Sequence, residues 1–135
     1  MKVVLDTNIL LVAIGKRSRY RPIWDAFIGG DYQIVISEDI AYEYEEILKI
    51  HAAPGAAEII MDIFVESPDV IRQHVYYNWN AIQADSDDNK FFDIAIAANV
   101  DFLVTNDRHF DIVKNHPFPR VLIITAEEFL KVLSK

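Results

Sequence analysis

The sequence predicts an α/β domain in three layers, with helices on either side of a central parallel sheet. Two observations carry this. Short runs rich in Val and Ile alternate along the chain with longer stretches of helical periodicity. The short runs are apolar at successive positions, so both of their faces are buried, as in a sheet covered by helices on both sides.

The elements follow in chain order. Residues 3–5 (Val-Val-Leu) form the first strand, and a helix follows over about 8–14. Arg21 to Ile28 reads as a second helix, stopped by Gly29-Gly30. Residues 33–36 (Gln-Ile-Val-Ile) are the second strand. Ser37 caps a helix running to about Ile50. Pro54 opens another, with Ile59, Ile60, Ile63 and Phe64 on its apolar side. Residues 70–77 are rich in strand formers but fit no clear period. Residues 88–99 form a helix. Residues 102–105 (Phe-Leu-Val-Thr) and 121–124 (Val-Leu-Ile-Ile) are the last two strands. Thr125 caps the final helix, with Glu128 three residues on completing a capping box. Trp24, Phe27 and Ile28 are core candidates. Tyr76, Tyr77 and Trp79 fit either a contact with another chain or packing against the sheet.

At 135 residues the chain is a single domain, 1–135, without repeat or linker. The absence of cysteine excludes disulfides, thiolate chemistry and Cys-type zinc sites. No apolar run approaches the ~20 residues of a membrane helix, and the run before Asp6 is too short for a signal peptide. A cytoplasmic protein is expected. With no Gly-rich phosphate loop and no Gly-x-Ser-x-Gly turn, ATP hydrolysis and Ser-nucleophile chemistry are not expected. The formal net charge of −8 argues naively against a nucleic-acid partner. Two divalent ions would neutralise four of these acids, however, so the local field matters more than the total.

In sheets of this kind ligands bind beyond the carboxyl ends of the strands, where the strand order reverses. Asp6 directly follows the first strand, and Asp107 lies two residues past Thr105. Either alone reads as ordinary cap chemistry; two at one edge say more. The helix after Ser37 offers Glu38, Glu43, Glu45 and Glu46. At about 100° per residue, Glu43 flanks the apolar face of Ile40, Tyr44, Ile47 and Leu48. The other three point away. An acid kept beside a core needs a partner or a metal. On the helix from residue 88, Asp88 lines up with Phe91, Phe92, Ala95, Ile96 and Ala98, at the end where the dipole stabilises negative charge. Asp93 points outward, and Asp85 and Asp87 read as caps or supporting groups. Clustered carboxylates repel unless a cation compensates. All-oxygen ligation suits Mg²⁺ or Mn²⁺, and such an ion activates water for attack at phosphorus.

The quoted segments resemble a known family. Val-Leu-Asp6-Thr-Asn8, Ser37-Glu-Asp-Ile-Ala-Tyr-Glu43, Asp85-Ser-Asp-Asp88-Asn-Lys-Phe and Phe-Leu-Val-Thr105-Asn-Asp107 resemble, in order and spacing, the four acidic motifs of PIN-domain ribonucleases. The resemblance spans essentially the whole chain and is nearest to the toxin PIN domains of prokaryotic toxin–antitoxin pairs. It implies a PIN-like fold with the acidic site at the C-terminal strand edge. It also implies an endoribonuclease dependent on Mg²⁺ or Mn²⁺, with Asp6, Glu43, Asp88 and Asp107 as catalytic metal-binding acids and Asn8 and Thr105 in support. RNA as substrate, a cognate antitoxin and a homodimer come with it. Ser86 departs from the pattern, standing where relatives often carry Pro.

Lys16-Arg17-Ser-Arg19-Tyr20-Arg21 gathers four of the 13 basic residues. Arg17, Arg19 and Arg21 suit an RNA backbone and Tyr20 a stacked base; a solvated loop fits equally. Arg108 and His109, which follow Asp107, fit a contact with substrate or the orienting of a water, and fit better a surface loop with no special role; His51, His74 and His116 read as structural. Two rivals share the Asp and Mg²⁺ edge. A receiver-like signalling domain needs a Lys after the last strand, where this chain has Thr-Ala-Glu-Glu. A haloacid-type phosphatase needs an Asp where Asn8 stands. A PIN-like module that binds RNA or protein without cutting it keeps the same acids and stays open.

Overall fold

The computed structural model describes residues 1–82, 86–114 and 120–135. Asp85 as a cap or supporting group and His116 as a structural histidine lie outside the described residues. The sheet has five parallel strands in the order β3-β2-β1-β4-β5. They are β1 (Lys2–Leu5), β2 (Gln33–Ile36), β3 (Val70–Arg72), β4 (Phe102–Val104) and β5 (Ile123–Ile124). The helices are α1 (Thr7–Ala13), α2 (Arg21–Ile28), α3 (Glu38–His51), α4 (Ala56–Glu66), α5 (Asn89–Ala97), α6 (Asp111–Lys114) and α7 (Ala126–Leu133). Short 3-10 turns at Ser86–Asp88 and Arg108–Phe110 lead into α5 and α6.

The three-layer reading holds because successive strand residues point to opposite faces. Val3, Val4 and Leu5 are all buried, as are Ile34, Val35 and Ile36, so both faces are covered. α5 packs on β1, β2 and β4, while α1 packs on α2 and α3, α3 on α4, and α2 on α7. An aromatic cluster fills the space where these helices meet. Phe64 lies edge-on to Trp24 and Phe27 and tilted against Tyr44, with ring centroids 5.7–6.2 Å apart. Tyr32 meets Phe129 edge-on at 5.1 Å. The buried hydroxyls are satisfied by backbone: Tyr32 donates to the Ile23 carbonyl, and Tyr44 to the Leu5 carbonyl at the end of β1.

The local signals are where the residue types put them. Ser37 accepts from the Ile40 amide and Thr125 closes its capping box with Glu128. Gly30, at φ +81°, takes the left-handed turn that ends α2. Four expectations need correction. Pro54 precedes α4, which begins at Ala56 after Gly55 in the left-handed region. Ile59 is exposed because α4 buries a narrow stripe of Ala57, Ile60 and Phe64, and Ile59 lies off it. Ile28 is exposed because it is the last residue of α2, beyond the buried stripe of Ile23, Trp24 and Phe27. Asp93 is buried, since the segment after β3 crosses that flank of α5 and the Trp79 amide donates to its carboxylate at 3.1 Å. Of the undecided aromatics, Trp79 packs against the core while Tyr76 and Tyr77 are exposed.

Topology fixes where a ligand site can form. From β1 the chain builds outward through β2 to β3, then returns to lay β4 on the other side of β1. The order therefore reverses between β1 and β4, and a crevice opens past their carboxyl ends. Leu5 pairs with Val104 in register, so the next residues, Asp6 and Thr105, stand side by side at that crevice.

Phe64 is fully buried and touches three other rings of the aromatic cluster. Phe64→Ala is expected to lower stability by about 3–5 kcal/mol, read as a lower urea midpoint at unchanged slope. A loss below about 1 kcal/mol would show that Phe64 does not hold α4 to the rest.

Candidate metal centre

Asp6 is buried, and its amide donates to the Val104 carbonyl at 3.0 Å, tying the end of β1 to β4. Its carboxylate accepts from the Thr105 hydroxyl at 2.8 Å. The same hydroxyl oxygen accepts from the Asp107 amide at 3.0 Å. Thr105 thus locks two acids to one edge. Burial pushes the Asp6 carboxyl above the usual carboxylate range. The Thr105 hydroxyl and the Thr7 amide pull it back, and the charges of Asp107 and Glu43 push it further up.

Glu43 reaches the edge from α3. One carboxylate oxygen accepts from the Thr7 hydroxyl, and the other sits 2.6 Å from the Lys90 ammonium. Asp88 is buried at the start of α5 and makes no capping hydrogen bond there, so capping does not explain its place. Asp107 does cap, accepting from the His109 amide at 2.9 Å, and still faces the cluster. Of the two readings of His109, its position favours a place beside the acids over a plain surface loop. Its Nδ1 lies 3.4 Å from a carboxylate oxygen of Asp88 and 3.4 Å from one of Asp107. Ligand atoms of Asp88, Asp107 and His109 lie within 4.8 Å of one another.

The donor set fits a divalent ion. Two ligands of one octahedral ion with bonds near 2.1 Å stand roughly 3 Å apart, close to the 3.4 Å separations at His109. That distance is long for a hydrogen bond. The imidazole adds a nitrogen to a site expected to be all oxygen.

A cavity of about 260 Å³ opens beside the acids, lined by Asp6, Asn8, Ile9, Val12, Tyr20, Asn106 and Asp107. Asn8 and Tyr20 therefore border the crevice. The arginines divide. Arg21 donates to the Ile14 carbonyl at 2.6 Å and pairs with Asp25, and Arg19 pairs with Glu127 at 2.6 Å. Arg17 is exposed. Sequence reasoning missed Thr7, Lys90 and Asn106 at this edge and gave His109 only its second reading, a contact with substrate or water. Thr7 and Asn106 lie inside the quoted motifs. Lys90 and His109 become legible once α5 packs on α3 and the turn after β4 folds back.

A family model described as the PIN domain matches residues 2–109. The chain belongs to the PIN domain family. These domains are nucleases that depend on divalent metal, which sets aside the receiver and haloacid-phosphatase readings. Among solved structures this PIN domain resembles VapBC2 from Rickettsia felis, solved bound to a DNA fragment from its promoter. The TM-score is 0.63 and the identity 20%, over 93% of this chain and 98% of that one. No curated protein matches the chain.

The raised Asp6 carboxyl has a consequence for stability. Below the ordinary value of 3.8 the group is protonated in both states and contributes nothing. As pH rises, the unfolded chain releases its proton first, so the folded state loses stability until it ionises as well. In EDTA, Asp6→Asn is expected to be more stable than wild type near neutral pH, with the difference fading as pH falls through 3.8. Urea midpoints across that range check it; a difference that grows toward acid would contradict it.

Proposed function

We propose that this PIN domain is a Mg²⁺- or Mn²⁺-dependent endoribonuclease and the toxin of a toxin–antitoxin pair. The observation that carries the reading is the convergence of Asp6, Glu43, Asp88 and Asp107, from four separate segments, on the crevice between β1 and β4. The four carboxylates supply the field that draws a divalent ion there. When bound, the ion activates water and stabilises charge developing at phosphorus.

The chain's own residues orient the rest. Thr105 holds Asp6 and Asp107 in register with each other. Thr7 and Lys90 hold Glu43 from opposite oxygens. The cavity beside Asp6 and Asp107 receives a nucleotide next to the cut phosphate, with Tyr20 at its rim as a stacking surface. Of the basic segment, Arg17 suits the RNA backbone best, since Arg19 and Arg21 are engaged within the chain.

The partner inferred for it is a cognate antitoxin protein, supported by the likeness to VapBC2. A homodimer and a cytoplasmic setting belong to the same proposal. No helix among the described residues is long and apolar enough to cross a membrane. A second reading, a PIN domain that binds RNA or protein without cutting it, draws on the Lys90–Glu43 pair, which occupies one acid of the set.

The test is cleavage of a mixed single-stranded RNA pool with Mg²⁺ or Mn²⁺, beside EDTA and Asp6→Asn. Cleavage lost in EDTA and reduced about a hundredfold or more in the variant is expected. Cleavage that survives both would contradict the assignment, and a folded wild type that binds RNA without cutting it would establish the second reading.

A further inference from the structure

We infer that the centre holds one tightly bound divalent ion, because Lys90 takes the place of a second ion beside Glu43. The inference rests on the metal-dependent reading and goes on to divide the four acids between an ion and a lysine.

Glu43 is committed within the chain. Its two carboxylate oxygens are taken separately, one by the Lys90 ammonium at 2.6 Å and the other by the Thr7 hydroxyl. These are not loose surface contacts. The Lys90 side chain is 22% exposed and that of Glu43 27%. The Lys90 ammonium also lies over the Phe91 ring, 5.6 Å from its centre. A divalent ion bound to the same Glu43 oxygen, with a bond near 2.1 Å, would lie under about 5 Å from the ammonium. Repulsion between the two cations is poorly screened in a half-buried site. An ion and Lys90 therefore compete for Glu43, and the lysine is covalently present.

The opposite end of the cluster is built differently. Asp88, Asp107 and His109 place three donor atoms within 4.8 Å of one another, spaced for a shared ion. Asp6 adjoins that end through Thr105, which bonds both Asp6 and the Asp107 amide. One ion and Lys90 together cancel three of the four acid charges. The charge compensation usually divided between two ions then falls to one ion and an ammonium held on Glu43.

The experiment is Mn²⁺ titration of the EDTA-stripped, desalted 135-residue chain, counting bound ions by electron paramagnetic resonance. Wild type is expected to bind one ion tightly. Lys90→Met, which keeps bulk and removes charge, is expected to gain a second site, and Lys90→Arg to stay at one. Glu43→Gln is expected to change the first dissociation constant less than threefold, while Asp107→Asn weakens it at least tenfold. Two ions of similar affinity in wild type would overturn the inference, as would a folded Lys90→Met that stays at one. If Lys90→Met does not fold, the comparison of Glu43→Gln with Asp107→Asn decides: equal losses would contradict the division. No ion bound by wild type at all would instead remove the metal-dependent reading itself.

Discussion

The hydrogen bond from Thr105 to Asp6 depends on the register of two strands. β1 and β4 are parallel neighbours with Leu5 opposite Val104, so Asp6 and Thr105 come next on either side of the crevice. A slip of one residue would turn each side chain to the other face of the sheet. The hydroxyl would then leave a buried carboxylate without its donor, a loss of about 1–3 kcal/mol or more for a charged group. Register here is held by apolar burial on both faces and by the Asp6 amide reaching the Val104 carbonyl. Tyr44, fully buried, adds a hydroxyl on the Leu5 carbonyl and so ties α3 to the same strand end. The helix that delivers Glu43 is thereby fixed to the strand that delivers Asp6.

Electrostatics at this edge are opposed to folding unless compensated. Asp6 is pushed toward its neutral form chiefly by burial, and Asp107 and Glu43 add to the push. The chain supplies part of the compensation through Lys90, through the Thr7 and Thr105 hydroxyls, and through the backbone amide on Asp107. What is left over is a set of oxygens and one imidazole nitrogen held close together, an arrangement more favourable with a cation than without one. The whole-chain charge of −8 did not predict this. A few charges placed within a few ångströms outweigh the total.

Much of this was legible in the sequence because it depends on local rules. Asp6 and Asp107 follow from where apolar runs stop, and strand ends are where this topology opens; Thr105 came only with the family resemblance. Glu43 and Asp88 follow from helical phase, which keeps some acids beside the core and turns others to solvent. What was not legible depends on which segments come together in three dimensions. Asp93 reads as outward on an isolated wheel, and it is buried because residues 74–82 lie across it and present the Trp79 amide. Lys90 reads as a helix-start lysine until α5 packs on α3 and brings it to Glu43. His109 reads as loop until the 3-10 turn capped by Asp107 folds its ring toward Asp88. Ile28 and Ile59 show the converse: an apolar residue type promises burial, but only a facing element delivers it.

The central claim is that these acids form one centre completed by a divalent ion. Thermal unfolding against Mn²⁺ concentration tests it most directly, because an ion bound by the folded chain alone stabilises it by mass action, about 2.7 kcal/mol at a hundred times the dissociation constant. The account predicts a midpoint that climbs with the logarithm of Mn²⁺ concentration in wild type and hardly moves when Asp88 and Asp107 are both changed to Asn. A wild-type midpoint unmoved by Mn²⁺, or a climb that persists in the double variant, would contradict it.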